Sequence, residues 1–208
     1  MQAETPKEPI FYLTQAQGKQ ADDILMSDQI GYSLEMLMEL AGQSITHAIY
    51  DIWKETIAVE PHRKIETLFL CGPGNNGGDG LVAARHLMQY KNFRVRVMIM
   101  KDYESGPNKR LLQILRNLDV PIWNYSEMTN KVISEEGLVH SDFLVDSLLG
   151  FSFKPPLRAP YDDLIGALKP FESKILSVDN PSGWDIEAGN NLDLFTPKYN
   201  IRYPQTHF

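Results

Sequence analysis

The apolar residues of this chain keep two different rhythms. From position 34, Leu34, Leu37, Met38, Ala41, Ile45, Ala48 and Ile49 recur three or four residues apart, which predicts a long amphipathic helix opening after Ser33. Met36 and Met38 both read as core filling within it. Residues 67–71 are a short apolar run of the kind that builds a buried strand, and Leu81, Ala84, Leu87 and Met88 then return to helical spacing. Thr14 and Gln17 have capping-box spacing, which predicts a shorter helix running to residue 27.

Further along, the two rhythms alternate. Strands are predicted at 94–100, 120–123, 143–148 and 175–178, and helices at 108–118 and at 161–168, the latter bounded by Pro160 and Pro170. Strands alternating with helices predict an α/β fold, a Rossmann-like three-layer αβα sandwich with a largely parallel sheet. Residues 1–10 read as a disordered tail and 11–208 as a single domain, with 61–64 a polar linker into the first strand.

Between the strand at 67–71 and its helix lies Gly72-Pro73-Gly74-Asn75-Asn76-Gly77-Gly78-Asp79-Gly80. Glycine leaves the backbone open to close approach, and the free N–H groups and positive end of the following helix make a seat for phosphate. The spacing of Gly72, Gly74 and Gly77 fits a dinucleotide fingerprint. Asn75, Asn76 and Asp79 go beyond what a pyrophosphate loop needs, and the carboxylate competes with a bound phosphate for the helix end. Such a loop is suited to a sugar, a cation or a reacting group as well.

Composition narrows the class. The 208 residues are 43% hydrophobic and 23% charged, and 20 basic against 27 acidic residues leave a net charge of −7. That balance is ordinary for a globular chain and argues against a nucleic-acid surface. The lone cysteine, Cys71, ends the apolar strand and reads as a packing thiol in a reducing compartment. No run approaches the roughly 20 apolar residues of a membrane span. A mitochondrial presequence is rich in arginine, whereas residues 1–9 hold Glu4 and Glu8 and no arginine, so the expectation is a cytoplasmic protein.

In open α/β sheets ligands bind beyond the carboxyl ends of the strands, and three polar segments fall there: 75–79, 146–154 and 179–182. Asp146 and Asp179 stand at two strand ends facing the Asn-rich loop, where carboxylate, amide, hydroxyl and carbonyl oxygens are all at hand for a hard cation. His62, His86 and His140 have no companions at metal-ligand spacing and read as structural or exposed.

The run GPGNNGGDGLVAARHL resembles the signature of the NAD(P)H-hydrate epimerase family. The segments VDSLLGFSFK at 145–154, SVDNPSGW at 177–184 and LMELAG at 37–42 match that family as well, and the likeness spans residues 12–184. The resemblance implies interconversion of the R and S hydrates of NADH and NADPH (NADHX and NADPHX) and a homodimer. It implies one bound potassium ion per subunit on Asn76, Asp146 and Ser182. Substrate contacts carry over onto Asn75, Asn76, Gly77, Gly78, Asp79, the loop Gly150, Phe151, Ser152, Phe153, Lys154, Pro155 and Pro156, and Asp179, with Asp179 as the proton-transferring residue. Lys154 and Arg158 are candidates for charge-assisted phosphate contacts.

Three departures from the family pattern carry expectations. Asn180 replaces an apolar residue, at a cost of about 1–3 kcal/mol if it is buried without a partner. Pro155 replaces a glycine and removes a backbone donor from the loop. After Gly189 the family's Thr-Ala-Pro-Lys gives way to Phe195-Thr196-Pro197-Lys198 and a tail with little apolar periodicity, so an edge of the sheet is expected to be missing or replaced. Two other classes stand beside the enzyme: a scaffold that has lost turnover, and a nicotinamide oxidoreductase with Asp102 as its ribose-binding acid.

Overall fold

A computed structural model describes residues 14–127 and 135–202. The tail expected at 1–10 lies outside the described residues. The helix α1 (Gln15–Leu25) opens on the expected capping box: Gln17 N–H donates to Thr14 Oγ1 at 3.3 Å, and Thr14 N–H to Gln17 Oε1 at 2.9 Å. In α2 (Leu34–Val59) Ser33 caps the first turn through Met36 N–H, and Met38, Gly42, Ile45, Thr46 and Ile49 form the buried stripe. The reading of Met36 as core fails: it is 52% exposed. Two residues along a helix is a rotation of about 200°, so Met36 and Met38 cannot share the buried face.

The strands are β1 (Ile65–Cys71), β2 (Phe93–Ile99), β3 (Ile122–Asn124), β4 (Phe143–Ser147), β5 (Ile175–Val178) and β6 (Tyr199–Ile201). They form one sheet in the order β3-β2-β1-β4-β5-β6, and every pairing is parallel. The helices α3 (Asn75–Leu87), α4 (Gly106–Asn117) and α5 (Tyr161–Leu168) complete the layers. On one face Phe69, Val97 and Val145 pack with Ile45 and Ile49 of α2, Leu81 of α3 and Leu115 of α4. On the other, Leu68, Leu70, Met98 and Leu144 pack with Leu164 and Leu168 of α5. The central strands β1, β4 and β5 therefore bury both faces, as a parallel sheet in a sandwich requires.

The segment expected to leave the sheet without an edge contributes β6 instead. Its pattern carries little periodicity because pairing is done by the backbone, with Leu176, Ser177 and Val178 opposite Tyr199, Asn200 and Ile201. The Tyr199 ring also lies 6.1 Å from that of Phe143. Strand order reverses at β1, which pairs with β2 on one side and β4 on the other. A cleft for a ligand opens at such a switch point, beyond the carboxyl ends of β1 and β4.

Helix α2 crosses α3 at Gly42, where an added Cβ would overlap the Val82 side chain and approach Ala83 N to 2.9 Å. Thr46 Oγ1 closes the contact by donating to Ala83 O at 3.2 Å. Alanine gains about 1 kcal/mol over glycine in helix propensity, but overpacking costs about 1–3 kcal/mol. Gly42→Ala is therefore expected to lose up to about 2 kcal/mol net, read as a lower urea midpoint at unchanged slope.

Candidate active site

The glycine segment is built differently from the free loop its sequence suggests. Helix α3 starts at Asn75, so Asn75, Asn76, Gly77, Gly78 and Asp79 form its first turns and only 72–74 remain as a turn. None of the five glycines has a left-handed φ. All but Gly74 are present for space: a Cβ at Gly72 would overlap the Leu148 carbonyl, at Gly77 the Gly72 carbonyl, at Gly80 the Ser147 hydroxyl, and at Gly78 would lie 2.6 Å from Asn108 Oδ1. The turn is pinned from α4 and the segment before it. Asn108 Nδ2 donates to Gly74 O at 2.9 Å and Pro73 O at 3.3 Å, and Tyr103 Oη donates to Gly72 O at 2.9 Å. Asn108 is 6% exposed, and no local pattern marked it or Tyr103 as part of the site, because their role is fixed across the sheet.

Asp146, on β4, is fully buried. Its Oδ1 accepts from Ser182 Oγ at 2.5 Å and Leu148 N–H at 3.3 Å, and its Oδ2 from Ser177 Oγ at 2.8 Å and Ser182 N–H at 2.9 Å. Burial raises its pKa, and the donors from Ser182, Ser177 and Leu148 oppose that rise. Ser182 Oγ in turn accepts from Leu149 N–H at 2.8 Å and lies 3.2 Å from Leu149 O. Asn76 reaches the same place from α3, donating through Nδ2 to Leu149 O at 3.0 Å and Val178 O at 3.3 Å, while its Oδ1 is buried without a hydrogen-bond partner. One carboxylate, one amide, one hydroxyl and two main-chain carbonyls thus meet between β4 and β5.

Asp179 follows β5 in a left-handed conformation, φ 65°, which aspartate tolerates better than most residues. Its N–H donates to Ile201 O at 2.8 Å, and its Oδ2 accepts from Phe151 N–H at 2.7 Å. Burial raises its pKa, while the Phe151 N–H and the charge of Arg202 lower it. Asp79, half-buried on the first turn of α3, is pushed up to about 8, chiefly by burial and then by the charges of Asp179 and Asp22. The loop Gly150, Phe151, Ser152, Phe153 lies over Asp179, and Gly150 comes so close that a Cβ there would sit 2.8 Å from Asp179 Oδ2.

Residues 34–201 match the family described as YjeF-related protein N-terminus. The chain belongs to that family. It is 46% identical over 192 residues to a Paramecium tetraurelia protein named NAD(P)H-hydrate epimerase, covering 92% of this chain and 76% of the relative. A Plasmodium vivax protein of the same name is 37% identical over 211 residues, 96% of this chain and 68% of the relative. The crystal structure of the yeast protein YNL200c superposes with a TM-score of 0.81 at 31% identity, over 92% of this chain and 79% of that one.

Within this YjeF-related frame the departures find local explanations. Asn180 is 7% exposed, and its Nδ2 donates to Trp184 O at 2.7 Å, so the cost expected of an unpartnered amide does not arise. Ser152, Lys154, Pro155, Pro156 and Arg158 are exposed, and Arg158 O accepts from Tyr161 N–H at 2.9 Å at the start of α5. Asp102, the ribose acid of an oxidoreductase reading, is paired on the surface with Arg116 at 2.6 Å. His86 Nε2 lies 2.6 Å from Glu39 Oε1, and Glu39 also pairs with Arg85, at the far end of α3 from the site. Cys71 is buried with its pKa pushed up to about 12 by burial, in keeping with a packing thiol.

Asp79 carries a stability consequence. Its folded pKa of about 8 exceeds the unfolded value, so the folded state holds a proton that the unfolded chain releases, and stability falls as pH rises through that window. Asp79→Asn removes the titration. Its urea midpoint relative to the wild type is expected to climb from about pH 5 to about pH 9, the two being most alike in acid.

Proposed function

We propose that the protein is an NAD(P)H-hydrate epimerase, an isomerase that interconverts the R and S forms of NADHX and NADPHX in nicotinamide cofactor repair. The observation that carries this is the half-buried Asp179 carboxylate, held just past the carboxyl end of β5 by Phe151 N–H, beside Asp79 and the Asn76 amide. The names of the relatives, at 46% and 37% identity over most of the chain, support the same reading.

Epimerisation requires the hydroxyl on the hydrated ring carbon to leave and water to return from the opposite face. Asp179, with its pKa raised by burial, holds the proton that passes to the departing hydroxyl, which leaves as water with the push of the ring nitrogen. The resulting carboxylate takes a proton from the water that adds to the other face. The first turns of α3, Asn75 to Asp79, and the loop Gly150 to Pro156 enclose the ring and exclude bulk water. A potassium ion fits Asn76, Asp146 and Ser182: the unpartnered Asn76 Oδ1, the Ser182 hydroxyl and the Leu149 carbonyl are oxygen donors, and Asp146 supplies negative charge. When bound, it would add fixed positive charge to the polar side of the site.

We place the protein in the cytoplasm, on its free buried thiol Cys71, which suits a reducing compartment. A homodimer completes the proposal, with the exposed stripe of Met36, Leu40 and Tyr50 on α2 as the apolar surface it would cover. Sedimentation is expected to give twice the 23.7 kDa chain mass, and Leu40→Asp the chain mass alone.

Purified R-NADHX, in potassium buffer and coupled to an S-specific dehydratase, should be turned over above the spontaneous rate. Asp179→Asn should still bind the hydrate and lose about 10²-fold or more in kcat. Unchanged turnover by that variant would remove Asp179 from its role. Asn76→Ala and Ser182→Ala should raise the potassium concentration needed for half-maximal activity, and should abolish the rise in melting temperature that potassium gives the wild type.

A further inference from the structure

We propose that α1 is a wall of the substrate cleft and that Asp22 on it binds a hydroxyl group of the substrate, on the nicotinamide riboside side rather than at the diphosphate. The inference rests on the epimerase reading for the identity of the ligand.

Helix α1 has no fully buried residue, yet Gln15, Gly18, Ala21, Asp22 and Leu25 are its half-buried positions. Their spacing puts them on one stripe. Where that stripe lands is settled by two contacts with one residue of the loop over Asp179. Gln15 Nε2 donates to Phe151 O at 2.8 Å, and Gly18 meets the Phe151 ring, with space for a Cβ only at 3.9 Å. Phe151 is gripped on its other side by Asp179, whose Oδ2 accepts the Phe151 N–H at 2.7 Å. The helix is thus tied to the same residue whose N–H holds Asp179.

Asp22 continues the stripe by one turn beyond Gly18, where an amphipathic helix would carry an apolar residue. It lies near enough for its charge to act on both Asp79 and Asp179. Among the described residues no hydrogen bond or ion pair holds its carboxylate. A half-buried acceptor with no donor is unfavourable until something brings donors to it. The nicotinamide riboside half of the hydrate, which reacts at Asp179, carries hydroxyl donors, as the adenosine half does, whereas the diphosphate carries only acceptors and negative charge that the Asp22 carboxylate repels. The contact of α1 with the residue that holds Asp179 therefore puts the riboside hydroxyls, rather than the diphosphate, beneath α1.

The test compares calorimetric affinity for R-NADHX and steady-state epimerisation in the wild type, Asp22→Ala, Asp22→Asn and Asp23→Asn. Asp23 is exposed, so its variant removes the same charge one residue away. Asp22→Ala is expected to bind R-NADHX about tenfold or more weakly, with KM raised likewise and kcat within threefold. Asp22→Asn, which keeps the shape, should fall between it and the wild type, and Asp23→Asn should match the wild type. All variants should melt within a few degrees of one another. Wild-type affinity in Asp22→Ala, or an equal loss in Asp23→Asn, overturns the proposal, as does a wild type that does not bind R-NADHX. A wild type that binds R-NADHX without epimerising it defeats the epimerase reading alone, and the affinity series still decides the role of Asp22.

Discussion

A single buried carboxylate organises the centre of this molecule. Asp146 is cut off from water, and a charge or a polar group in that position is tolerable only if its oxygens are fully engaged. Here each oxygen accepts two hydrogen bonds, from Ser177 on the neighbouring strand, from both the main chain and side chain of Ser182, and from Leu148. Those partners come from β4, β5 and the turn beyond β5, so satisfying one acid sets the relative position of two strand ends. The loops that carry Asn76's carbonyl partners and Asp179 grow out of those ends. Removing any of the donors would leave a deficit in the least solvated part of the sheet.

Close approach is the second constraint. The end of β1, the start of α3 and the end of β4 come nearer to one another than side chains allow, and glycine stands at each contact, at Gly72 against Leu148 and at Gly80 against Ser147. This compactness brings the first turn of α3 onto the carboxyl ends of β4 and β5. Asn76 then spans the gap to Leu149 O and Val178 O, and Asp79 arrives beside Asp179. Burial first, and then the charge of Asp179, raise the pKa of Asp79, which is the electrostatic condition for a carboxyl group that can hold a proton near neutral pH.

Asp179 also shows how far the site depends on remote chain. Its left-handed backbone is held by an N–H bond to Ile201 O, in a strand drawn from the segment with the least recognisable pattern. Its carboxylate is held by Phe151, and Phe151 by Gln15 at the start of the first described helix. Residues near both ends of the described chain thus converge on one side chain in the middle of the sheet's carboxyl edge. The Asp179 carboxylate and its backbone are held in place by main-chain contacts.

Much of this was legible in the sequence, for a local reason. Hydrophobic periodicity is a property of neighbours in the chain, so the alternation of strands and helices, the buried stripe of α2 apart from Met36, the caps at Thr14 and Ser33, and the placement of Asn76, Asp146 and Asp179 at strand or helix ends could all be read without coordinates. The family signature did the rest for the chemistry. Tertiary structure alone decided what depends on distant pairing: that Asn75 to Asp79 are helical, that Asn180 finds Trp184, that residues 199–201 form β6, and that Asn108 and Tyr103 pin the glycine turn. Asp22 is of the same kind. Its chemistry is visible in the chain, but its meaning comes from the face of the sheet edge on which α1 happens to lie.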